Sequence, residues 1–234
     1  MIVVDRPQAL IFDLDGTIVD TETPEFEGIK AAWAELGLQY TLTHYEHVVG
    51  TVSRGNAWLD ELAEAYGRPI DVAAAEATRG RVHRELTARL EPRPGIIHLI
   101  EQAAAAGVPM AIASNSPQWW VEARLDALDL HRHMPVQISI DTASRPKPDP
   151  APFAEACAAL GADPHMSVAF EDSITGVASA TAAGLFTVAC AGPLSLTHDL
   201  SAADVVIDSH EEISLSDLGE ALAARRRSTP SPRR

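Results

Sequence analysis

Ala9-Leu10-Ile11-Phe12-Asp13-Leu14-Asp15-Gly16-Thr17 is the stretch on which the reading of this chain turns. Four apolar residues in a row, closed by a turn signal, predict a strand buried on both faces. Asp13 and Asp15 follow two residues apart, so on an extended chain their side chains leave the strand end on one side. Gly16 allows a sharp turn behind them. Two carboxylates held side by side repel each other. A divalent cation would relieve that, and so would retention of a proton on one of them. Either solution points to chemistry, because open α/β sheets place their sites at the carboxyl ends of strands.

Outward from this stretch the chain changes texture twice. Residues 25 to 36 read as a helix closed by Gly37, and residues 53 to 66 and 71 to 90 carry further helical spacing. Glu91-Pro92-Arg93-Pro94-Gly95 then breaks the pattern. Beyond it, helices over 96–106, 118–128, 150–160 and 173–183 alternate with short apolar strands at 109–113, 136–140, 167–170, 186–189 and 205–207. That alternation predicts an α/β fold with a parallel sheet wound on both faces, to which the first strand belongs. The expected organisation is a discontinuous core, residues 1–19 and 93–224, interrupted by an all-helical insert, residues 20–92. Residues 225–234 hold five Arg, no acid and no apolar residue except two prolines, and are expected to be an unstructured basic tail.

The whole chain of 234 residues carries a formal charge of −15, so the first 224 residues carry −20. A body that acidic repels nucleic acid and anionic membranes, and an anionic substrate would need a local positive centre. Cys157 and Cys190 read as free core thiols of a reducing compartment. No apolar run is long enough to span a bilayer. The N-terminus runs straight into the first strand without a signal-peptide pattern, so a cytoplasmic protein is expected.

The strands of a parallel sheet share one carboxyl edge, so groups far apart in sequence can meet there. Ser114-Asn115-Ser116 and Glu171-Asp172-Ser173 follow two of the expected strands, and Arg145-Pro146-Lys147-Pro148-Asp149-Pro150 lies between them. Ser114-Asn115 alone reads as a helix cap. Glu171-Asp172 reads equally as a cap or as ligands for a hard, oxygen-bound cation. Lys147 stands out because the chain has 16 Arg and only two Lys. A Lys between two prolines is a rigidly presented point charge suited to phosphate.

Together these segments resemble the haloacid dehalogenase superfamily of phosphohydrolases, with Asp13-Leu14-Asp15-Gly16-Thr17, Ser114-Asn115, Lys147 and Glu171-Asp172-Ser173 matching its four motifs in order. The insert is similar to the small helical cap of the branch containing β-phosphoglucomutase-like and phosphoglycolate-phosphatase-like enzymes, with Asp20-Thr21-Glu22 and Gly50-Thr51-Val52-Ser53-Arg54 fitting that branch. The resemblance implies a Rossmann-like core, a cap over residues 20–92, and a Mg²⁺-dependent phosphatase acting on a small phosphomonoester through an aspartyl phosphate. It makes Asp13 the nucleophile and Asp15 the acid–base group. It places Mg²⁺ on Asp13, the Asp15 backbone carbonyl and Asp172, with Glu171 in or near the shell. Ser114, Asn115, Lys147 and Gly16 would hold phosphate, and Arg54 would reach the substrate from the cap. It also implies a monomer.

Asp15 argues against carbon–halogen cleavage, since the superfamily's dehalogenases lack it. Where the mutase relatives carry a His this chain has Glu25, which favours a phosphatase over a phosphohexomutase. A non-catalytic phosphate-binding module on the same fold is the reading from another class; it is disfavoured because every residue type the chemistry needs is present. Trp58 is the expected aromatic of the substrate cleft, whereas Trp119 and Trp120 read as packing beneath the cap.

Overall fold

The computed structural model of the chain describes residues 6–45, 57–195 and 198–228. Its centre is β1 (Leu10–Phe12), whose three residues are fully buried. It pairs in parallel with β2 (Met110–Ala113) on one side and β4 (Val168–Glu171) on the other. β3 (Val136–Ile138), β5 (Phe186–Cys190) and β6 (Val205–Ile207) complete a six-stranded parallel sheet of order β3-β2-β1-β4-β5-β6.

Alternation along β1 divides the core into two layers. Leu10 and Phe12 face Ile96, Leu99 and Ile100 of α5 (Ile96–Ala105), Val121 and Leu125 of α6 (Gln118–Ala127), and Leu218 and Leu222 of α9 (Leu215–Ser228). Ile11 faces the opposite layer, Phe153, Ala156 and Cys157 of α7 (Ala151–Leu160) with Ala180 of α8 (Ile174–Ala182). The rings of Phe12 and Phe170 stack across β1 and β4 at 4.8 Å.

Between β1 and α5 the described chain is helical: α1 (Glu22–Glu35), α2 (Leu42–Tyr45), α3 (Ala57–Tyr66) and α4 (Val72–Thr87). These helices enclose an apolar cluster of their own, with Phe26, Ile29 and Trp33 of α1 against Tyr45, Trp58, Leu62 and Ala75. The two chain segments joining this unit to the sheet run side by side. Val19 bridges to Pro92, and the Arg93 N–H donates to the Ile18 carbonyl at 2.8 Å.

Three features depart from the sequence expectations. α1 starts at Glu22 rather than at 25, because Pro24 sits in the first helical turn, where its missing N–H would have had no intrahelical partner. Arg225 to Arg227, expected in an unstructured tail, instead form the last turn of α9. Burial of Leu218 and Leu222 against the sheet stabilises that helix, and cations at its C-terminus suit its dipole. Residues 229–234 lie outside the described residues. Trp58 does not line a cleft; it is 2% exposed within the apolar cluster of the helical insert.

Phe12→Ala is expected to cost about 3–5 kcal/mol of stability, measured by denaturant unfolding, because the ring fills the junction of β1, β4 and α5. A loss below about 1 kcal/mol would contradict this placement of the core.

Candidate active site

Asp13 follows directly on β1, and Asp172 directly on β4, whose last residue is Glu171. The parallel register brings the three carboxylates to one edge, with candidate ligand oxygens all within 4.8 Å of one another. Lys147 comes from the loop before α7. Its ammonium donates to Asp13 Oδ1 and to Glu171 Oε1, both at 2.5 Å, and is 4% exposed. Asn115 holds that loop: its side-chain oxygen accepts the Lys147 N–H at 2.9 Å and its amide nitrogen donates to the Lys147 carbonyl at 3.2 Å. The Lys147–Pro148 peptide is cis.

Glu171 is fully buried and anchored at the start of α8. Its Oε2 accepts from the backbone N–H groups of Asp172 and Ser173 at 3.0 and 3.1 Å and from Ser173 Oγ at 3.0 Å. A helix N-terminus favours such a carboxylate. Two glycines make the room. A Cβ on Gly176 would lie 1.8 Å from Glu171 Oε1, and one on Gly16 would lie 1.9 Å from Asp172 Oδ2. Gly16 also has φ +84°, a conformation that side chains other than glycine's rarely adopt.

Three buried carboxylates face one buried ammonium. Burial raises the pKa of Asp13 well above the usual carboxylate range; Lys147 opposes this, and Glu171 and Asp15 add to it. Burial likewise raises Asp172, reinforced by Glu171, Asp13 and Glu22 and opposed by Arg93. For Lys147, burial alone would favour loss of the proton, but Asp13 and Glu171 outweigh it and hold the ammonium charged. The site therefore has an excess of negative charge and a set of hard oxygen donors. That set fits a hard divalent cation, with Asp13 and Asp172 offering carboxylate oxygens while both oxygens of Glu171 already accept hydrogen bonds.

The site opens into a cavity of about 370 Å³, lined by Asp13, Ser114, Asn115, Lys147 and Asp172 and, on its walls, by Asp15 and Trp120. The Asp15 carboxylate accepts from Thr21, Ser116 and Trp120. Ser114 Oγ accepts the Ser116 N–H at 3.0 Å, leaving its own hydroxyl hydrogen free to donate. From the helical insert come Glu22, Glu25 and His83. Glu25 is gripped by Arg79 Nη1, at 3.0 and 2.8 Å to its two oxygens, and His83 Nε2 lies 3.8 Å from Glu25 Oε2. Burial lowers the His83 pKa, against the pull of Glu25. A larger groove, about 800 Å³, lies elsewhere, beside Arg93, His98 and His210, and holds none of the candidate site residues picked out in the sequence.

Asp13, Asp15, Ser114, Asn115, Lys147, Glu171 and Asp172 thus meet at one edge of the sheet. Gly16 lies beneath Asp172 rather than on the cavity wall, and Arg54 falls outside the described residues. Sequence reading passed over Arg93, His83 and the polar role of Trp120. Arg93 sat in a Pro-rich breaker, yet its guanidinium donates to the carbonyls of Gly16, Cys190 and Ala191 at 2.5, 3.0 and 2.8 Å. His83 carried one signal, its i+4 spacing from Arg79 on α4.

Residues 10–190 match the model of the haloacid dehalogenase-like hydrolase family. The chain is 30% identical to validoxylamine A 7'-phosphate phosphatase of Streptomyces hygroscopicus subsp. limoneus, over 89% of this chain and 97% of that one. It is 30% identical to a phosphorylated carbohydrates phosphatase of Thermotoga maritima, over 76% of this chain and 82% of the relative. The crystal structure of CbbY from Rhodobacter sphaeroides in complex with phosphate superposes with a TM-score of 0.72 at 26% identity, covering 91% of this chain and 99% of that one.

Two outcomes follow from the crowding of the carboxylates. Asp13 and Asp172 bind protons more tightly folded than unfolded, so their contribution to stability falls as pH climbs from the ordinary carboxylate range through their raised values. A divalent cation competes with those protons, so Mg²⁺ is expected to raise the melting temperature more at about pH 8 than at about pH 5. Equal shifts would contradict this. Gly176→Ala, which in an ordinary helix gains about 0.5–1 kcal/mol, is expected instead to lower the unfolding free energy, because the methyl group displaces Glu171.

Proposed function

The chain belongs to the haloacid dehalogenase-like hydrolase family, and on that premise we propose that it is a Mg²⁺-dependent phosphatase of a small phosphomonoester, a phosphorylated carbohydrate or a close analogue. The observation that carries this reading is the Asp13 carboxylate, fixed by Lys147 at 2.5 Å on the floor of a cavity of about 370 Å³. The names of the relatives, both phosphatases of phosphorylated small molecules, support the substrate class. So does the cavity wall, where Glu22, Glu25 and His83 offer hydrogen-bonding groups suited to hydroxyls.

In this proposal Asp13 attacks phosphorus and forms an aspartyl phosphate as the ester bond breaks. Asp15 gives its proton to the departing oxygen, then takes one from the water that hydrolyses the intermediate. Lys147 and the Ser114 hydroxyl hold phosphate oxygens. Asn115 keeps Lys147 in place through the loop backbone. Asp13 and Asp172, with the Asp15 carbonyl, would hold Mg²⁺, which would supply the positive charge that lets a carboxylate approach a phosphate. Glu171 orients Lys147 from behind. The helices over residues 20–92 act as the cap that closes the cavity and selects the alcohol. Action as a monomer is part of the proposal. No helix among the described residues is long and apolar enough to cross a membrane, and a cytoplasmic location is part of the proposal.

Asp13→Asn is expected to lower phosphate release by at least about four orders of magnitude, and chelation of divalent ions to abolish it reversibly. The measurement is release of inorganic phosphate from a panel of sugar phosphates with and without Mg²⁺. Undiminished release by the variant would sink the nucleophile assignment. Conversion of one sugar phosphate into its isomer without phosphate release would make the protein a mutase.

A further inference from the structure

The Asp15 carboxylate is held by three donors from three places in the chain. Thr21 Oγ1 and the indole Nε1 of Trp120 both donate to Oδ1, at 2.6 and 2.8 Å. Ser116 Oγ donates to Oδ2 at 2.6 Å. A carboxylate oxygen offers two acceptor positions, so Oδ1 is filled and Oδ2 keeps one. The donors differ in kind. Hydroxyls rotate and can accept as well as donate, whereas an indole N–H only donates and points in a direction fixed by the ring. A proton placed on Oδ1 would leave that oxygen a poorer acceptor for the indole N–H, so Trp120 favours the carboxylic acid that carries its hydrogen on Oδ2.

Trp120 is also tied to the helical insert. Its ring lies 5.9 Å from that of His83 on α4, inclined by 30°. The Arg124 guanidinium, one turn along α6, sits 4.7 Å from the Trp120 centroid and donates to the carbonyl of Thr87, the last residue of α4, at 3.4 Å. One side chain therefore touches both the carboxylate and the helix that borders the cavity from the insert.

We infer that Trp120 is a positioning residue: it fixes the Asp15 carboxyl so that the reaction's proton is given and taken at Oδ2, and it joins that geometry to α4. This rests on the reading of Asp15 as the acid–base group. As the ester oxygen leaves phosphorus, the electron pair of the broken bond takes the Oδ2 proton. In the second step Oδ2 takes a proton from water as the water oxygen bonds to phosphorus and the Asp13–phosphorus bond breaks, so the carboxyl returns to its starting form.

The test is Trp120→Phe, which keeps an aromatic ring on the side of His83 and Arg124 and removes the indole N–H with the rest of its five-membered ring. kcat/KM, which reports the steps through departure of the alcohol, is measured with Mg²⁺ on two esters, β-glycerol phosphate and 4-nitrophenyl phosphate. An alkoxide needs a proton to leave and a nitrophenolate does not. The variant is expected to lose about tenfold or more on the alkyl ester and less than about threefold on the aryl ester. Thr21→Val, which strips the other Oδ1 donor, is expected to show the same split and carries the comparison if the Phe variant melts well below the wild type. Equal losses on both esters, or no loss on either, would overturn the inference. A wild-type protein without Mg²⁺-dependent turnover of either ester would instead overturn the functional reading beneath it.

Discussion

The Lys147 ammonium lies between Asp13 and Glu171, 2.5 Å from each, with all three side chains withdrawn from water. Burying charges costs roughly several kcal/mol per ion, which attraction repays only when geometry is close and remaining polar atoms are satisfied. The surroundings meet that demand. Asn115 pins the Lys147 backbone, Asp172 and Ser173 leading into α8 saturate one oxygen of Glu171, and Gly16 and Gly176 leave space where any side chain would collide with a carboxylate. One ammonium does not balance three carboxylates, so an excess of negative charge stays at Asp13 and Asp172, two of the carboxylates that line the cavity. The protein has thus neutralised the anion it needs for orientation and left charge where a cation and a phosphate would meet.

The fold serves that arrangement through register. Because β1, β2 and β4 run parallel with Phe12 opposite Ile112 and Phe170, the residues just past each strand emerge side by side. The apolar layers on both faces hold the strands so that polar groups can be presented only at their ends. The helical insert leaves and re-enters the core beside that edge, at Val19 and Pro92, so its α1 and α4 residues border the cavity.

Much of this was legible in the sequence because buried parallel strands read as short apolar runs, and the polar residues that follow them mark the sheet edge. Asp13, Ser114, Lys147, Glu171 and Asp172 could be picked out on that rule together with the family resemblance. Other features hid for physical reasons. α9 is Arg-rich over its last turn and buries only a narrow stripe, Leu218 and Leu222, so composition resembled a free tail. Trp58 was expected in the cleft and Trp120 in packing beneath the cap, and the structure reverses the two. Only three-dimensional packing buries one among aromatics and brings the indole N–H of the other to Asp15. Arg93 reaches backbone carbonyls, and a side chain that recognises backbone leaves no partner residue to find in a sequence.

The proposed mechanism depends above all on Asp13 as the carboxylate that receives the phosphoryl group. The most direct measurement is peptide mass spectrometry of the protein quenched in acid during turnover of a sugar phosphate with Mg²⁺. The account predicts one added phosphoryl group on the peptide that contains Asp13, absent from protein quenched before substrate is added. Steady phosphate release with no phosphoryl group on that peptide, or with one on another residue, would contradict it.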